Sequence, residues 1–317
     1  MRSVDETISW LLAGDPAIRW QTMRDLLDTP QAEWQAERQH TAETGWGAQL
    51  LARQDADGKW GGGIYSPKWI STTYTLLTLC AIGIPRECEA AQRGAELMID
   101  TMLGEQCNNA FHEKLLGCDR CIVGMILQVA VYFQIADERI DAIVGHLLHE
   151  EMPDGGWNCR RHRRPEPHHS SFHTTFNVLD GLRTYAELAP GARQAEVLAA
   201  EKRAQELMLQ HHLYKSDKTG EIIHPHFALM SFPPRWHYDF IRGLDYFARA
   251  NALYDQRLED PIALLQSKQH SDGLWSIEYN YSAKVFFNME SVSKKPSRWN
   301  TLRALRILRW WEKIQNR

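Results

Sequence analysis

The chain has 317 residues, a formal net charge of −4 and a hydrophobic share of 44%, enough to build the core of one large globular unit. A slightly acidic balance lacks the basic footprint of a nucleic-acid-binding protein, and no apolar run reaches the ~18 residues that a membrane span needs. We therefore expect a small-molecule partner, no nucleic acid and no stable membrane insertion. The start of the chain lacks the apolar region of a signal peptide, so we expect a cytoplasmic location.

Apolar helices recur along the chain, each opened by a turn, at intervals of about 50 to 60 residues. A second class of helix lies between them and is amphipathic. Asp-Gly turns follow several of these amphipathic helices, as at Asp154-Gly155 and Asp272-Gly273, because this pair stops a helix and reverses the chain. The apolar helices are predicted at 22–27, 72–82, 122–133, 174–182, 238–247 and 301–310, and the amphipathic ones at 47–54, 140–152, 199–211 and 262–270.

The alternation of the two helix classes predicts a fold. Six apolar helices are all buried if they form a closed barrel that the amphipathic helices cover. In such a barrel the inner helices run parallel, so their amino-terminal ends meet at one mouth, where the positive ends of the helix dipoles favour anions. We expect an all-α, (α/α)6 barrel that forms one domain over residues 1–317.

Two helix starts carry metal-ligand residues. Cys118-Asp119-Arg120-Cys121 opens the third apolar helix, and Ser171-Phe172-His173 opens the fourth. Carboxylate, thiolate and imidazole are the usual protein ligands of zinc, and three of them with one open position make a catalytic site. The alternative is that these Cys and His side chains only pack in the core.

The turns Gln54-Asp-Ala-Asp-Gly-Lys-Trp60 and Met152-Pro-Asp-Gly-Gly-Trp157 resemble the glutamine–tryptophan repeats of squalene and oxidosqualene cyclases. The resemblance covers nearly the whole chain as repeats. It implies the α/α toroid that terpenoid cyclases share with the β subunits of protein prenyltransferases. The acidic Asp-x-Asp-Asp motif of squalene–hopene cyclases and the Asp-Asp-x-x-Asp motif of ionising terpene synthases are both absent from the sequence.

The local resemblance is to the prenyltransferase β subunits, in which an Asp-x-Cys and a His at successive inner-helix starts bind catalytic zinc. By position, Asp119, Cys121 and His173 carry over as ligands of a Zn²⁺ ion. Cys159, in the turn that leads to His173, is a candidate fourth ligand; water, a substrate thiol, His168 or His169 are the alternatives. Of the basic residues that hold the prenyl diphosphate in that family, only Lys114, and at most His112, has a counterpart here.

Further candidates stand at the other helix starts. A cation precedes a tryptophan four times, and these pairs either bind an anionic headgroup beside an apolar pocket or pack between repeats. His237 and Asp239 either form a general base with its orienting carboxylate or reflect helix capping at Asp239. The basic run at 160–164 either faces solvent or faces an anionic substrate. The predicted pocket residues are Trp20, Trp69, Phe172, Trp236 and Trp299, with the cations Arg19, Lys68, Arg235 and Arg298.

These motifs predict a zinc-dependent enzyme that activates a thiol or water toward an apolar or isoprenoid-like substrate. Two alternatives remain open: an isoprenoid cyclase with an unfamiliar acid and no metal, and a carbohydrate-active α/α barrel. The last one needs two carboxylates across a cleft, and the acidic residues near inner-helix starts are Asp15, Asp119 and Asp239.

Overall fold

The computed structural model describes residues 2–135, 138–161, 165–290, 292 and 295–316. Its regular structure is helical, with no β-strand in these ranges, which confirms the all-α prediction. No helix in the described ranges is both long and apolar enough to cross a bilayer. The helices are α1 (Val4–Leu12), α2 (Pro16–Asp25), α3 (Gln31–Glu43), α4 (Gly45–Leu51), α5 (Thr72–Ile82), α6 (Glu89–Leu103), α7 (Asn109–Gly117), α8 (Arg120–Tyr132), α9 (Arg139–His149), α10 (Phe172–Leu188), α11 (Gln194–Gln210), α12 (Phe240–Arg249), α13 (Glu259–Ser267) and α14 (Arg298–Gln315).

All ten predicted helices are present, with ends shifted by a few residues. The sequence reading did not predict four others: α1, α3, α6 and α7. Helix α3 shows why, because Thr41 is its one buried residue and it has no apolar stripe to detect.

Three turns repeat the same anchoring geometry. Each places a fully buried tryptophan between an amphipathic helix and the following apolar helix. In the second of them, Trp157 donates its indole N–H to the carbonyl of Leu147 at 2.7 Å, and its backbone N–H to the hydroxyl of Thr175 at 3.0 Å. Since both bonds are buried, they fix the turn to two helices at once. Trp60 makes the same pair of bonds to Leu50 and Thr72, and Trp275 makes it to Leu265 and Thr301.

Helices α8 and α10 approach each other unusually closely. A Cβ atom added to Gly124 would lie 2.4 Å from the carbonyl oxygen of Asn177, and one added to Gly181 would lie 2.5 Å from that of Gly124. Only glycine allows two backbones to come so near. This packing brings the amino-terminal ends of the two helices together, and with them the motifs that the sequence singled out.

Helix α14, near the end of the chain, joins α2 to α12. Arg306 of α14 lies between Asp25 of α2, at 2.9 Å, and Asp245 of α12, at 2.7 Å. A further ion pair joins α12 to α10, where Arg242 binds Asp180 at 2.6 Å. Charged pairs thus link α10 to α12, α12 to α14, and α14 back to α2.

Candidate active site

The amino-terminal ends of α8 and α10 bring two cysteines into contact. The Sγ atom of Cys159 accepts hydrogen bonds from the backbone N–H of Cys121 and from the hydroxyl of Thr174, each at 3.4 Å. Cys121 lies in the first turn of α8, and Cys159 lies two residues after the anchored Trp157. The tryptophan turn therefore delivers the second thiol to the start of α8. Both cysteines are free and partly exposed.

The pKa values of the two thiols shift in opposite directions. A hydrogen bond from the Cys121 thiol lowers the pKa of Cys159, and the Thr174 hydroxyl and the Cys121 N–H add to this effect. The same hydrogen bond, followed by burial and the nearby charges of Cys159 and Asp119, raises the pKa of Cys121 well above its usual range. Cys159 is therefore the thiol that ionises first, at the positive end of a helix dipole. Burial raises the pKa of neighbouring Cys118 to about 12, so Cys118 stays a thiol.

His173 lies on the adjacent helix start but faces an aromatic cluster. Its Nδ1 accepts the backbone N–H of Tyr238 at 2.9 Å, and its ring lies 5.2 to 5.4 Å from those of Phe227, Trp236 and His237. Burial, and then the charge of Arg242, lowers the pKa of His173 to about 4. The ring is therefore neutral at pH 7, with its proton on Nε2, because Nδ1 uses its lone pair as an acceptor.

The predicted zinc ligands do not form a metal-binding set in this arrangement. No group of three or more His, Cys, Asp or Glu side chains in the described ranges is placed to hold a metal ion. Asp119 and the two thiols are neighbours, but neither nitrogen of His173 offers a free lone pair while Tyr238 holds Nδ1. The residues present do not fit zinc as they stand. A zinc-bound state requires His173 to give up this hydrogen bond.

Two cations lie against aromatic rings close to this centre. The Nζ atom of Lys68 is 5.3 Å from the ring centre of Trp236 and 5.6 Å from that of Trp69. The guanidinium of Arg235 is 5.6 Å from the ring centre of Trp69, and among the described residues its one hydrogen-bond partner is the Thr78 hydroxyl at 3.5 Å. Neither cation pairs with a carboxylate in the described chain. Burial lowers the pKa of Arg235 to about 10, which still leaves it charged at pH 7.

Arg235 is also held in a strained position. Its φ of 58° lies in the left-handed region, which costs a non-glycine residue roughly 1 to 2 kcal/mol. Its Nε atom and the indole Nε1 of Trp236 are buried without a hydrogen-bond partner in the described structure. Strained backbone and unsatisfied donors that persist in a packed structure are typical of ligand sites. Both donors belong to the segment that precedes α12.

The other two predicted cations are already satisfied. Arg19 binds Glu37 at 2.6 Å and the carbonyl of Gly14 at 3.0 Å. Arg298 donates to the carbonyl of Trp10 at 2.9 Å and stacks on its ring at 4.6 Å. These two fit the alternative in which the cation–tryptophan pairs pack between repeats, whereas Lys68 and Arg235 fit the ligand-binding one.

His237 and Asp239 lie two residues apart in the sequence, but their side chains do not contact each other. The His237 ring lies stacked between Trp236, at 3.8 Å, and Tyr281, at 3.6 Å. Asp239 is fully buried, where it caps α12 through the N–H of Arg242 and accepts the hydroxyl and N–H of Ser231. Its oxygens serve the backbone, so it does not orient His237. Burial and the nearby His173 lower the pKa of His237 to about 3, so its ring too is neutral at pH 7.

The predicted pocket residues divide between the two ends of the apolar helices. A cavity of about 1070 Å³ lies at their carboxy-terminal ends, and Trp20 lines it together with Arg249, Arg306 and Trp310. Trp69 and Trp236 lie at the amino-terminal ends beside the two free cations. Phe172 packs on Phe227 and Tyr238, and Trp299 stacks on Phe232 at 4.2 Å, so these two rings fill space between repeats.

Within the basic run, His162, Arg163 and Arg164 lie outside the described residues. Arg161 donates to the carbonyl of Glu151 at 2.6 Å, and Arg160 is exposed. Two contributors to the site escaped the sequence reading, Thr174 and Tyr74. Tyr74 contacts Trp69 edge-on at 4.8 Å. The helix register would have indicated both, because each lies in the first turn of an apolar helix.

No protein-family model matches the chain, and a search of curated proteins finds no similar sequence.

Proposed function

We propose that the protein is an enzyme with the closed α/α toroid architecture of the prenyltransferase and squalene-cyclase class. The adjacent starts of α8 and α10, the repeated tryptophan turns and the charged links from α10 through α12 and α14 to α2 support this architecture. The reaction centre lies at the amino-terminal ends of α5, α8, α10 and α12, which we term the amino-terminal mouth. A cytoplasmic location stays a prediction.

The substrate is an amphipathic molecule with an apolar body and an anionic group. The main supporting observation is Arg235, a charged guanidinium that has no carboxylate partner among the described residues and lies against Trp69 in a strained loop. Lys68, beside Trp236, adds a second unpaired cation. A buried cation without a counter-charge, such as Arg235, destabilises a protein, and a bound anion supplies that charge. The aromatic faces suit an apolar chain.

Cys159 supplies the reactive group at this mouth. Its thiolate is stabilised by three hydrogen-bond donors, and a thiolate is the nucleophilic form of cysteine. The reaction class is thiol-dependent transfer or elimination on the apolar substrate. Neutral His173 and His237 keep positive charge away from the aromatic wall, so Lys68 and Arg235 remain the anion-binding groups.

Zinc stays a prediction of the resemblance, with Asp119, Cys121, His173 and Cys159 as its ligands. Elemental analysis of protein purified without added metal tests it. One zinc per wild-type chain, lost in Cys121→Ser and kept in Cys118→Ser, supports the prediction. Equal metal content in wild type and Cys121→Ser contradicts it.

The two alternatives receive less support. A metal-free isoprenoid cyclase must stabilise a carbocation, and the positive charges of Lys68 and Arg235 beside Trp236 and Trp69 disfavour a further positive charge there. A carbohydrate-active barrel needs a pair of free carboxylates. Asp15 caps α2 and also binds the N–H of Trp46, and Asp239 caps α12, so both are committed to backbone donors.

Ligand charge provides the test of the proposed function. Decyl phosphate, decanol and decyltrimethylammonium share one apolar chain and differ in charge, and isothermal titration calorimetry below their micelle concentrations measures their affinity for the reduced wild-type protein. We expect decyl phosphate to bind at least about tenfold more tightly than decanol, since one charge-assisted contact contributes about 1.5 kcal/mol or more. Preference for the cationic ligand, or equal affinities, contradicts the proposal.

A further inference from the structure

The two cysteines of the amino-terminal mouth contact each other. Cys80 is buried in the core, and Cys118 is held as a thiol by burial. Cys121 and Cys159 come from segments 38 residues apart and are partly exposed, and the Cys121 N–H contacts the Cys159 sulfur at 3.4 Å.

We propose that Cys121 and Cys159 form a redox-active dithiol that closes reversibly to a disulfide when the protein meets a disulfide oxidant such as glutathione disulfide. Disulfide formation needs two sulfurs that already lie within contact distance and backbones that hold them there. Here the Cys159 sulfur lies 3.4 Å from the backbone nitrogen of Cys121, which brings the two side chains within reach of each other. Helix α8 fixes Cys121, and the two buried bonds of Trp157 fix the turn that carries Cys159.

The exchange has a defined order. The Cys159 thiolate attacks one sulfur of glutathione disulfide, which forms a mixed disulfide and releases one glutathione as its thiolate. The sulfur of Cys121 then loses its proton and attacks the Cys159 sulfur, so that the second glutathione leaves. Two protein protons end on the two glutathione thiolates. One disulfide is reduced, one is formed, and no other reactant is needed.

Cys159 is suited to the first attack because its sulfur accepts hydrogen bonds from the Cys121 N–H and the Thr174 hydroxyl. Cys121 is suited to the resolving step because its backbone N–H already contacts that sulfur, which holds the residue beside it. The closed form has no thiolate at the mouth. It is therefore an inactive state of the proposed enzyme, although the inference itself needs only the geometry of the pair and not the proposed function.

The test uses the full-length folded protein after dialysis against a chelator, equilibrated in glutathione redox buffers and then quenched with an alkylating agent. Peptide mapping without reduction should find a Cys121–Cys159 cross-link. The number of alkyl groups added in denaturant, counted from the intact mass, should drop from six to four. Addition of dithiothreitol should restore all six.

Three variants make the result decisive. Cys118→Ser is the matched control, because it removes a neighbouring thiol and should leave the cross-link and the loss of two alkylation sites unchanged. Cys121→Ser and Cys159→Ala should abolish both, and Cys121→Ser should stop at the mixed disulfide on Cys159. The inference is overturned if the folded wild-type protein stays fully reduced in an oxidising buffer, or if the bond that forms contains Cys118. Neither outcome affects the ligand titrations with reduced protein, so the two proposals fail separately.

Discussion

The backbone N–H of Tyr238 donates a hydrogen bond to Nδ1 of His173 at 2.9 Å, which ties the loop before α12 to the start of α10. The side chain of Asn177 supports the same junction through the carbonyls of His173, at 2.6 Å, and Trp236, at 2.8 Å. His173 thus acts as an acceptor that positions the segment carrying Arg235 and Trp236. Its protonation state follows from this role.

The first prediction concerns the tautomer of His173. Because Nδ1 accepts a hydrogen bond, metal-free protein at pH 7 should carry the His173 proton on Nε2. Two-bond ¹H–¹⁵N correlation spectra of histidine-labelled protein, assigned with His173→Asn, report this directly. A proton on Nδ1, or a doubly protonated ring, would contradict the structure of this junction. Added zinc should shift the Nε2 resonance only if it replaces that proton.

The second prediction concerns stability against pH. The pKa of His173 is about 4 in the folded protein and about 6.5 when unfolded, so below pH 6.5 the unfolded state binds more protons. Its contribution is fully present above pH 6.5 and is lost as the pH falls toward 4, at up to about 1.4 kcal/mol per pH unit. Urea unfolding at several pH values measures this.

The matched variant for that measurement is His173→Asn, whose side-chain oxygen can still accept the Tyr238 N–H but does not titrate. We expect the stability advantage of wild type over this variant to shrink as the pH falls from 6.5 to 4.5. A difference that stays constant over this range would show that the folded protein does not lower the pKa of His173.

The third prediction tests the close packing of α8 and α10. Gly124→Ala would place a methyl group 2.4 Å from the carbonyl oxygen of Asn177, so one helix must move, and we expect a loss of about 3 kcal/mol. Gly117→Ala is the control. It lies at the end of α7 with nothing within 4 Å of the added carbon, and it should be neutral or stabilising by about 0.5 kcal/mol. Equal effects in the two variants would contradict the helix contact.

The fourth prediction tests the link between the ends of the chain. Arg306→Met leaves Asp25 and Asp245 partly buried without their shared partner, and we expect a loss of about 3 kcal/mol in the free energy of unfolding. The control is Arg309→Met, whose ion pair with Asp28 is exposed and should contribute less than about 1 kcal/mol. If Arg306→Met costs no more than its control, α14 does not close the structure as described.

The sequence predicted the buried helices well because their signals are local. Apolar runs and Asp-Gly turns mark where α5 and α8 begin and end, and Trp60 and Trp157 mark the anchored turns. The pairing of Cys121 with Cys159 follows from those turns, and Cys159 was already a candidate next to the metal motif. The sequence did not predict which polar side chains pair with each other across the site.

Three side chains illustrate that limit. The sequence could not distinguish Arg235 from Arg19, because both precede a tryptophan, and only tertiary packing gives Glu37 to Arg19 and leaves Arg235 without a carboxylate. The role of Asp239 likewise depended on Ser231, which a loop brings back to it. Long-range contacts, not local patterns, decide which polar residues remain available to a ligand.

The most direct test of the proposed function compares two substitutions at equivalent repeat positions. Affinity for decyl phosphate is measured by calorimetry in wild type, Arg235→Gln and Arg19→Gln. We expect Arg235→Gln to weaken binding by at least about tenfold, because the anion loses a charged donor. Arg19→Gln should bind as wild type does, since Arg19 is occupied by Glu37. Unchanged affinity in Arg235→Gln, or equal losses in both variants, would contradict an anion-binding role for the amino-terminal mouth.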